Sequence, residues 1–188
     1  MDTNFNVIVI GGSAGSFQVV ISILESLPAN FQVPIVLCLH RPRHVREGFK
    51  EALNTKSKIM VVEPDDKESI KRGNVYLAPA NFHLLLELNH TFALSTEEAV
   101  NFSRPAIDLT FETAAYAYGK KMLIIMLSGA NSDGAKGMLK AYQKGAYTIV
   151  QDPTEAQINV MPESAIKLFK PHAVLSSKKI SEFINALK

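Results

Sequence analysis

Short unbroken apolar runs alternate along the chain with stretches whose apolar positions recur every three or four residues. Val7–Ile10 is the first run, four β-branched residues in succession, as expected of a strand buried on both faces. It is predicted to stop at Gly11-Gly12. A helical repeat follows over Phe17–Leu27, with Val20, Ile21, Ile23, Leu24 and Leu27 on its apolar side and Pro28 at its end. Pro34–Leu39 reads as the second strand and Arg43–Asn54 as a helix with Val45, Phe49 and Leu53 inward. Ile59–Val62 and Val75–Ala78 are further strands, ended by Glu63-Pro64 and Pro79. Phe82–Leu88 and Thr91–Leu94, either side of Asn89-His90, predict a β-hairpin. Beyond it come a helix over Ile107–Tyr118, the most apolar strand at Lys121–Leu127, a helix over Ala135–Lys144 and a strand over Tyr147–Gln151. The chain then reads as a short helix at Pro162–Leu168, an edge strand at Ala173–Leu175 and a terminal helix at Ser177–Leu187.

This alternation predicts an α/β fold: three layers, αβα, around a mostly parallel, doubly wound sheet of Rossmann-like type, with the β-hairpin as an insertion. Residues 1–188 are expected to form a single domain. An apolar fraction of 47% and a net charge of +2 fit a globular chain and give no reason to expect a nucleic-acid partner. No apolar run approaches the roughly 18 residues of a membrane span, and the chain enters a core strand at once, so no signal peptide or direct membrane insertion is expected and the setting reads as cytoplasmic. The single cysteine, Cys38, lies inside an apolar strand and reads as a small buried hydrophobe.

In an open parallel sheet, ligands bind beyond the carboxyl ends of the strands. Three polar stretches are expected there. Gly11-Gly12-Ser13-Ala14-Gly15 follows the first strand, His40 the second, and the Ser128–Gly134 loop with Asp133 the Lys121–Leu127 strand. The first stretch satisfies G-x-S-x-G, in which a tight strand-to-helix turn lifts a serine hydroxyl out of the sheet. It lacks G-x-G-x-x-G spacing and a following Gly-Lys-Ser/Thr, which argues against a phosphate loop. Ser13 as a mere helix cap is the plainer alternative. A hydroxyl, an imidazole and a carboxylate at one rim are the parts of a hydrolytic triad. The chain order Ser, His, Asp, with the serine after the first strand, differs from that of the α/β-hydrolases. His40, His44, His83, His90 and His172 show no metal-ligand spacing, so neither metal nor cofactor is expected.

Six ordered segments resemble the catalytic domain of the chemotaxis receptor methylesterases, the CheB-type protein-glutamate methylesterases/glutaminases. They are Gly11–Ser16, His40-Arg41-Pro42, Arg72–Pro79 with His83, Arg104-Pro105-Ala106-Ile107-Asp108, Leu127–Gly134, and Gln151-Asp152 with Met161-Pro162. The resemblance implies a serine esterase of signal transduction with Ser13 as nucleophile, His40 as general base and Asp133 as the orienting carboxylate. Gly12, Ala14, Ala130, Arg104 and Met161 would bind substrate or the oxyanion. The implied reaction is hydrolysis of glutamate γ-methyl esters, and deamidation of glutamine, on a methylated receptor (a methyl-accepting chemotaxis protein) as the partner. Arg41 and Arg104 read either as partners for acidic side chains of that receptor or, equally, as solvated surface. The resemblance covers the catalytic domain alone. No segment resembles the receiver domain usual in that family, so phosphorylation control within the chain is not expected.

The chain departs from the family pattern at Ala14, where Thr is usual, at Ser16, at Ala130-Asn131 and at Val160 and Glu163 beside Met161-Pro162. These departures motivate a second reading, a non-catalytic interaction module on the same scaffold. His83 is expected to be structural or to flank the substrate. Asp108 is the carboxylate competing with Asp133, which in turn also suits an N-cap for the following helix.

Overall fold

The computed structural model describes residues 4–40 and 48–187. In chain order it contains β1 (Val7–Gly12), α1 (Phe17–Ser26), β2 (Ile35–Leu39), α2 (Phe49–Lys56), β3 (Val61–Val62) and β4 (Val75–Leu77). The hairpin β5 (His83–Leu86) and β6 (Phe92–Ser95) comes next, then α3 (Ile107–Tyr118), a 3-10 turn at Gly119–Lys121 and β7 (Met122–Met126). The chain closes with α4 (Ala135–Gln143), β8 (Tyr147–Gln151), α5 (Val160–Leu168), β9 (Ala173–Leu175) and α6 (Ser177–Asn185). Seven strands form one sheet in the order β3-β4-β2-β1-β7-β8-β9, and every pairing in it is parallel. The α/β expectation, with helices on both sides, therefore holds.

The two-residue period of a strand divides the core into two layers. Ile8 and Ile10 of β1, with Leu37 and Ile125, pack against α1, α2 and α6 through Val20, Leu24, Leu53, Ile180 and Ile184. Val7 and Val9, with Val36, Cys38, Ile124 and Met126, face α3, α4 and α5 through Ile107, Phe111, Met138, Ala141 and Met161. Both faces are dry, which is why the sequence shows unbroken apolar runs and not alternation.

Several boundaries differ from expectation. β1 does not stop at Ile10 but runs through Gly11 and Gly12, which pair with Cys38 and Leu39 of β2. Gly11 points at α3, where a Cβ would lie 2.5 Å from Ile107 Cγ2 and 2.6 Å from Phe111 Cζ. The missing side chain there is a condition of strand–helix contact and not a strand breaker. α5 starts at Val160, ahead of Pro162, because a proline in the first helical turn forfeits no intrahelical bond. The helix expected from Arg43 is described only from Phe49; its first residues, like Arg41 and His44, lie outside the described residues.

The hairpin forms a separate two-stranded sheet on α3. Two threonines of α3 hold it there: Thr110 Oγ1 donates to Leu84 O (2.7 Å), and Leu86 N–H donates to Thr113 Oγ1 (3.1 Å). Among the described residues no helix is long and apolar enough to cross a membrane.

Candidate active site

The carboxyl ends of β2, β1 and β7, three neighbouring strands, carry His40, Ser13 and the loop that holds Asp133. The order of connection reverses between β1 and β7, the place where an open parallel sheet leaves a crevice. The loops over this crevice are laced together. Ser13 N–H donates to Ser128 O (2.9 Å), Leu127 N–H to Gly11 O (2.8 Å), and Ser128 Oγ to Ala14 O (2.8 Å). Gly15 turns the chain at φ +84, and a Cβ on it would sit 2.6 Å from Ser128 Oγ.

Ser13 is half-buried, and among the described residues its Oγ makes no hydrogen bond. It is not the helix cap. That position belongs to Ser16, whose Oγ donates backwards to Ser13 O (2.7 Å) and caps no helix N–H. The first turn of α1 holds no acidic residue, so the positive end of the helix stays uncompensated beside the serine turn.

His40 is fixed twice. Its N–H donates to Gly12 O (3.0 Å), which sets it beside the serine turn, and its ring Nε2 lies 2.7 Å from Asp133 Oδ2. Asp133 is fully buried. Burial alone would raise its carboxyl pKa. Hydrogen bonds from His40, from the Asn101 amide and from the N–H groups of Ile107 and Asp108 outweigh that and hold it below the ordinary range. An ionised carboxylate only accepts, so the ring proton belongs on Nε2 and the lone pair on Nδ1. Ser103 Oγ lies 3.5 Å from Nδ1, at the outer limit of a hydrogen bond.

The three donors to Asp133 besides His40 come from two places. Ile107 N (2.7 Å) and Asp108 N (3.1 Å) are the free first-turn amides of α3. Asn101 Nδ2 (3.0 Å), like Ser103, belongs to a two-residue turn closed by paired backbone bonds between Val100 and Ser103. Asn101 and Phe102 both take left-handed backbone there, at φ +51 and +60, and Phe102 is fully exposed. His83, fully buried, secures the segment before α3: Nδ1 accepts from Ala106 N–H (3.2 Å), so Nε2 donates to Glu98 O (2.9 Å).

Residues 8–184 match the family model described as CheB methylesterase. The chain belongs to the CheB methylesterase family. A Leptospira interrogans protein, provisionally named a protein-glutamate methylesterase/protein-glutamine glutaminase, is 45% identical over 179 residues, covering 95% of this chain and 93% of its own. A Thermotoga maritima protein-glutamate methylesterase/protein-glutamine glutaminase is 35% identical over 179 residues, and the chain spans 52% of its length. The crystal structure of the Thermotoga maritima CheB methylesterase catalytic domain superposes with a TM-score of 0.91 at 34% identity, covering 98% of this chain and 99% of that one.

Within this CheB-type framework, the residues expected from sequence fall into distinct places. His40 and Asp133 touch; Ser13 is brought beside them by the backbone, but without a hydrogen bond from its hydroxyl to His40. Ala14 and Ala130 are exposed at the lip of the crevice, with N–H groups unpaired among the described residues. Gly12 closes β1, and its carbonyl is taken by His40.

Arg104 is already engaged through one nitrogen: its Nη1 donates to Thr96 O (2.6 Å) and Glu97 O (2.9 Å), holding the segment after the hairpin, while its buried Nε has no hydrogen-bond partner among the described residues. One expectation needs correction. Met161 is fully buried and packs against Gly129, where a Cβ would come within 2.6 Å of its methyl carbon. It supports the loop from beneath and presents no surface to a ligand. Asp108 does not compete for His40; it accepts from Gly137 N–H (2.7 Å) and Asn101 Nδ2 (3.0 Å). Asn101 and Ser103 escaped the sequence reading. Their only signal is proximity to the Arg104-Pro105 segment, because a turn has no periodicity to read. Cys38, pushed up to about 12 by burial, stays a thiol and supplies no nucleophile. Among the described residues no group of three or more His, Cys, Asp or Glu is placed to hold a metal ion.

Proposed function

We propose that this chain is a serine hydrolase that removes methyl groups from glutamate γ-methyl esters, and deamidates glutamine, on methylated chemotaxis receptors in the cytoplasm. The observation that carries the reading is the 2.7 Å contact between His40 Nε2 and Asp133 Oδ2, on a histidine whose own N–H is bound to Gly12 next to Ser13. Its relatives' names supply the substrate class. On this reading Ser13 Oγ attacks the ester carbonyl, His40 Nδ1 takes the hydroxyl proton and returns it to the leaving methanol, and Asp133 steadies the imidazolium between the two transfers. Water then repeats the cycle on the acyl-enzyme and releases the glutamate. The oxyanion is met by amides at the lip, with the N–H groups of Ala14 and Ala130 as candidates. The intact His40–Asp133 pair argues against a scaffold that has lost its chemistry.

A second reading makes Ser103 the nucleophile, because its Oγ is the hydroxyl within 3.5 Å of Nδ1. Both serines stand four residues before a helix, but the first-turn amides of α3 after Ser103 are taken by Asp133, whereas Ser13 leads into the uncapped start of α1. The test is methanol release from methylated receptor, together with mass-spectrometric mapping of a serine-directed phosphonate. Ser13→Ala is expected to abolish turnover and labelling, with Ser103→Ala keeping both. A label on Ser103, or full turnover by Ser13→Ala, overturns the assignment.

A further inference from the structure

We propose that Asn101 is a positioning residue of this site: its amide, inserted between the carboxylates of Asp133 and Asp108, keeps them from sharing a proton and leaves Asp133 free to hold the His40 imidazole. The inference rests on the reading of His40 as the base.

The geometry is specific. One nitrogen, Asn101 Nδ2, is 3.0 Å from Asp108 Oδ2 and 3.0 Å from Asp133 Oδ1, so each of its two hydrogens serves one carboxylate. The amide orientation is thereby fixed, because its oxygen would repel both. The remaining donors to the two side chains are His40, the N–H groups of Ile107 and Asp108 on Asp133, and the Gly137 and Gly134 N–H groups on Asp108. Among the described residues neither carboxylate forms an ion pair with a lysine or arginine. Two carboxylates this close, without a cation, favour one shared proton.

The surroundings narrow where such a proton would go. His40 and Cys38 face Asp133 from β2, and Asp108 faces it from α3; on α4, Lys140 is paired with Glu112 and feels Asp108 from a distance. Cys38 stays protonated. Asp108 already binds its proton more readily than an ordinary aspartate, first through burial and further through the charge on Asp133, against the bonds from Gly137, Asn101 and Gly134. Removing the Asn101 amide removes one restraint from both carboxylates at once.

Asn101 sits in left-handed backbone at φ +51, a conformation glycine also adopts. Asn101→Gly therefore deletes the amide and keeps the turn. The decisive comparison adds Asp108→Asn to it, which places an amide on the other side of the same gap. Two measurements are made on wild type, Asn101→Gly and the double variant: kcat and KM against pH, and the titration of the aspartate carboxyl 13C resonances. In Asn101→Gly, kcat near neutral pH is expected to fall about tenfold with KM unchanged and to recover as pH rises, while the Asp133 carboxyl titrates at higher pH. The double variant is expected to regain both values. Unchanged kcat in Asn101→Gly, an unmoved Asp133 titration, or a double variant as impaired as the single one overturns the proposal. The titration reads the carboxylates directly, so it decides on Asn101 even where the wild-type chain proves to hydrolyse no ester.

Discussion

At the scale of single residues, the site is a problem of proton placement. Asp133 takes His40 and Ile107 N–H on one oxygen, and Asn101 and Asp108 N–H on the other. An asparagine at this position sets an NH2 against two donors whichever way it turns. Asp133→Asn is therefore expected to lower kcat by roughly three to four orders of magnitude, through the wrong tautomer of His40. It should also lower stability by about 1–3 kcal/mol, the cost of a buried donor without an acceptor; esterase assays and urea unfolding measure the two effects. The same carboxyl sets a pH dependence. Because its folded pKa is depressed, its contribution to stability is present above the unfolded value of about 3.9 and is lost as pH falls through the folded one. Melting temperatures taken below about pH 4 should drop less steeply in Asp133→Asn than in wild type.

At the scale of elements, helix α3 does most of the positioning. Its first-turn amides bind Asp133, its threonines hold the hairpin, and it lies against both Gly11 of β1 and Gly137 of α4. A Cβ on Gly137 would stand 2.5 Å from Asp108 O and 2.9 Å from Asp108 Cα, and backbone atoms cannot swing aside as a side chain can. Gly137→Ala must push α3 and α4 apart. It is expected to cost roughly 1–3 kcal/mol in urea unfolding and to lower kcat as well, since Asp133 loses the register of its two α3 donors. Preserved stability and activity would mean that the helices have slack at this crossing. Nothing in the hydrophobic pattern announces such a crossing. α3 is legible as a helix from Ile107, Phe111, Ala114 and Ala115, whereas the contact it makes depends on a residue without a side chain in another element.

At the scale of the molecule, both apolar layers are built on the same strands, with alternate residues of β1, β2 and β7 facing opposite ways. Neither layer can come apart without the shared sheet. The chain holds no tryptophan, so tyrosine fluorescence and far-ultraviolet circular dichroism are the probes of its unfolding, and they should give coincident urea transitions. Separated midpoints would show that one layer melts alone. The parallel sheet was legible because strands dry on both faces leave runs such as Val7–Ile10 and Lys121–Leu127 that no other structure explains as simply. The continuation of β1 through Gly11-Gly12 was not, because glycine reads locally as a stop while its role is set by α3. His40 and Asp133 were legible as strand-end residues; their link through Asn101 was not, since only the folded chain brings that turn to them. One peptide group carries a practical corollary. The amide of Ser13 already leans on the carbonyl of Ser128, so a boronate or phosphonate mimic seated on that hydroxyl draws little help from its own anchor. Its affinity would then report the order of the neighbouring loops, making tight inhibitors a gauge of how well those loops are assembled.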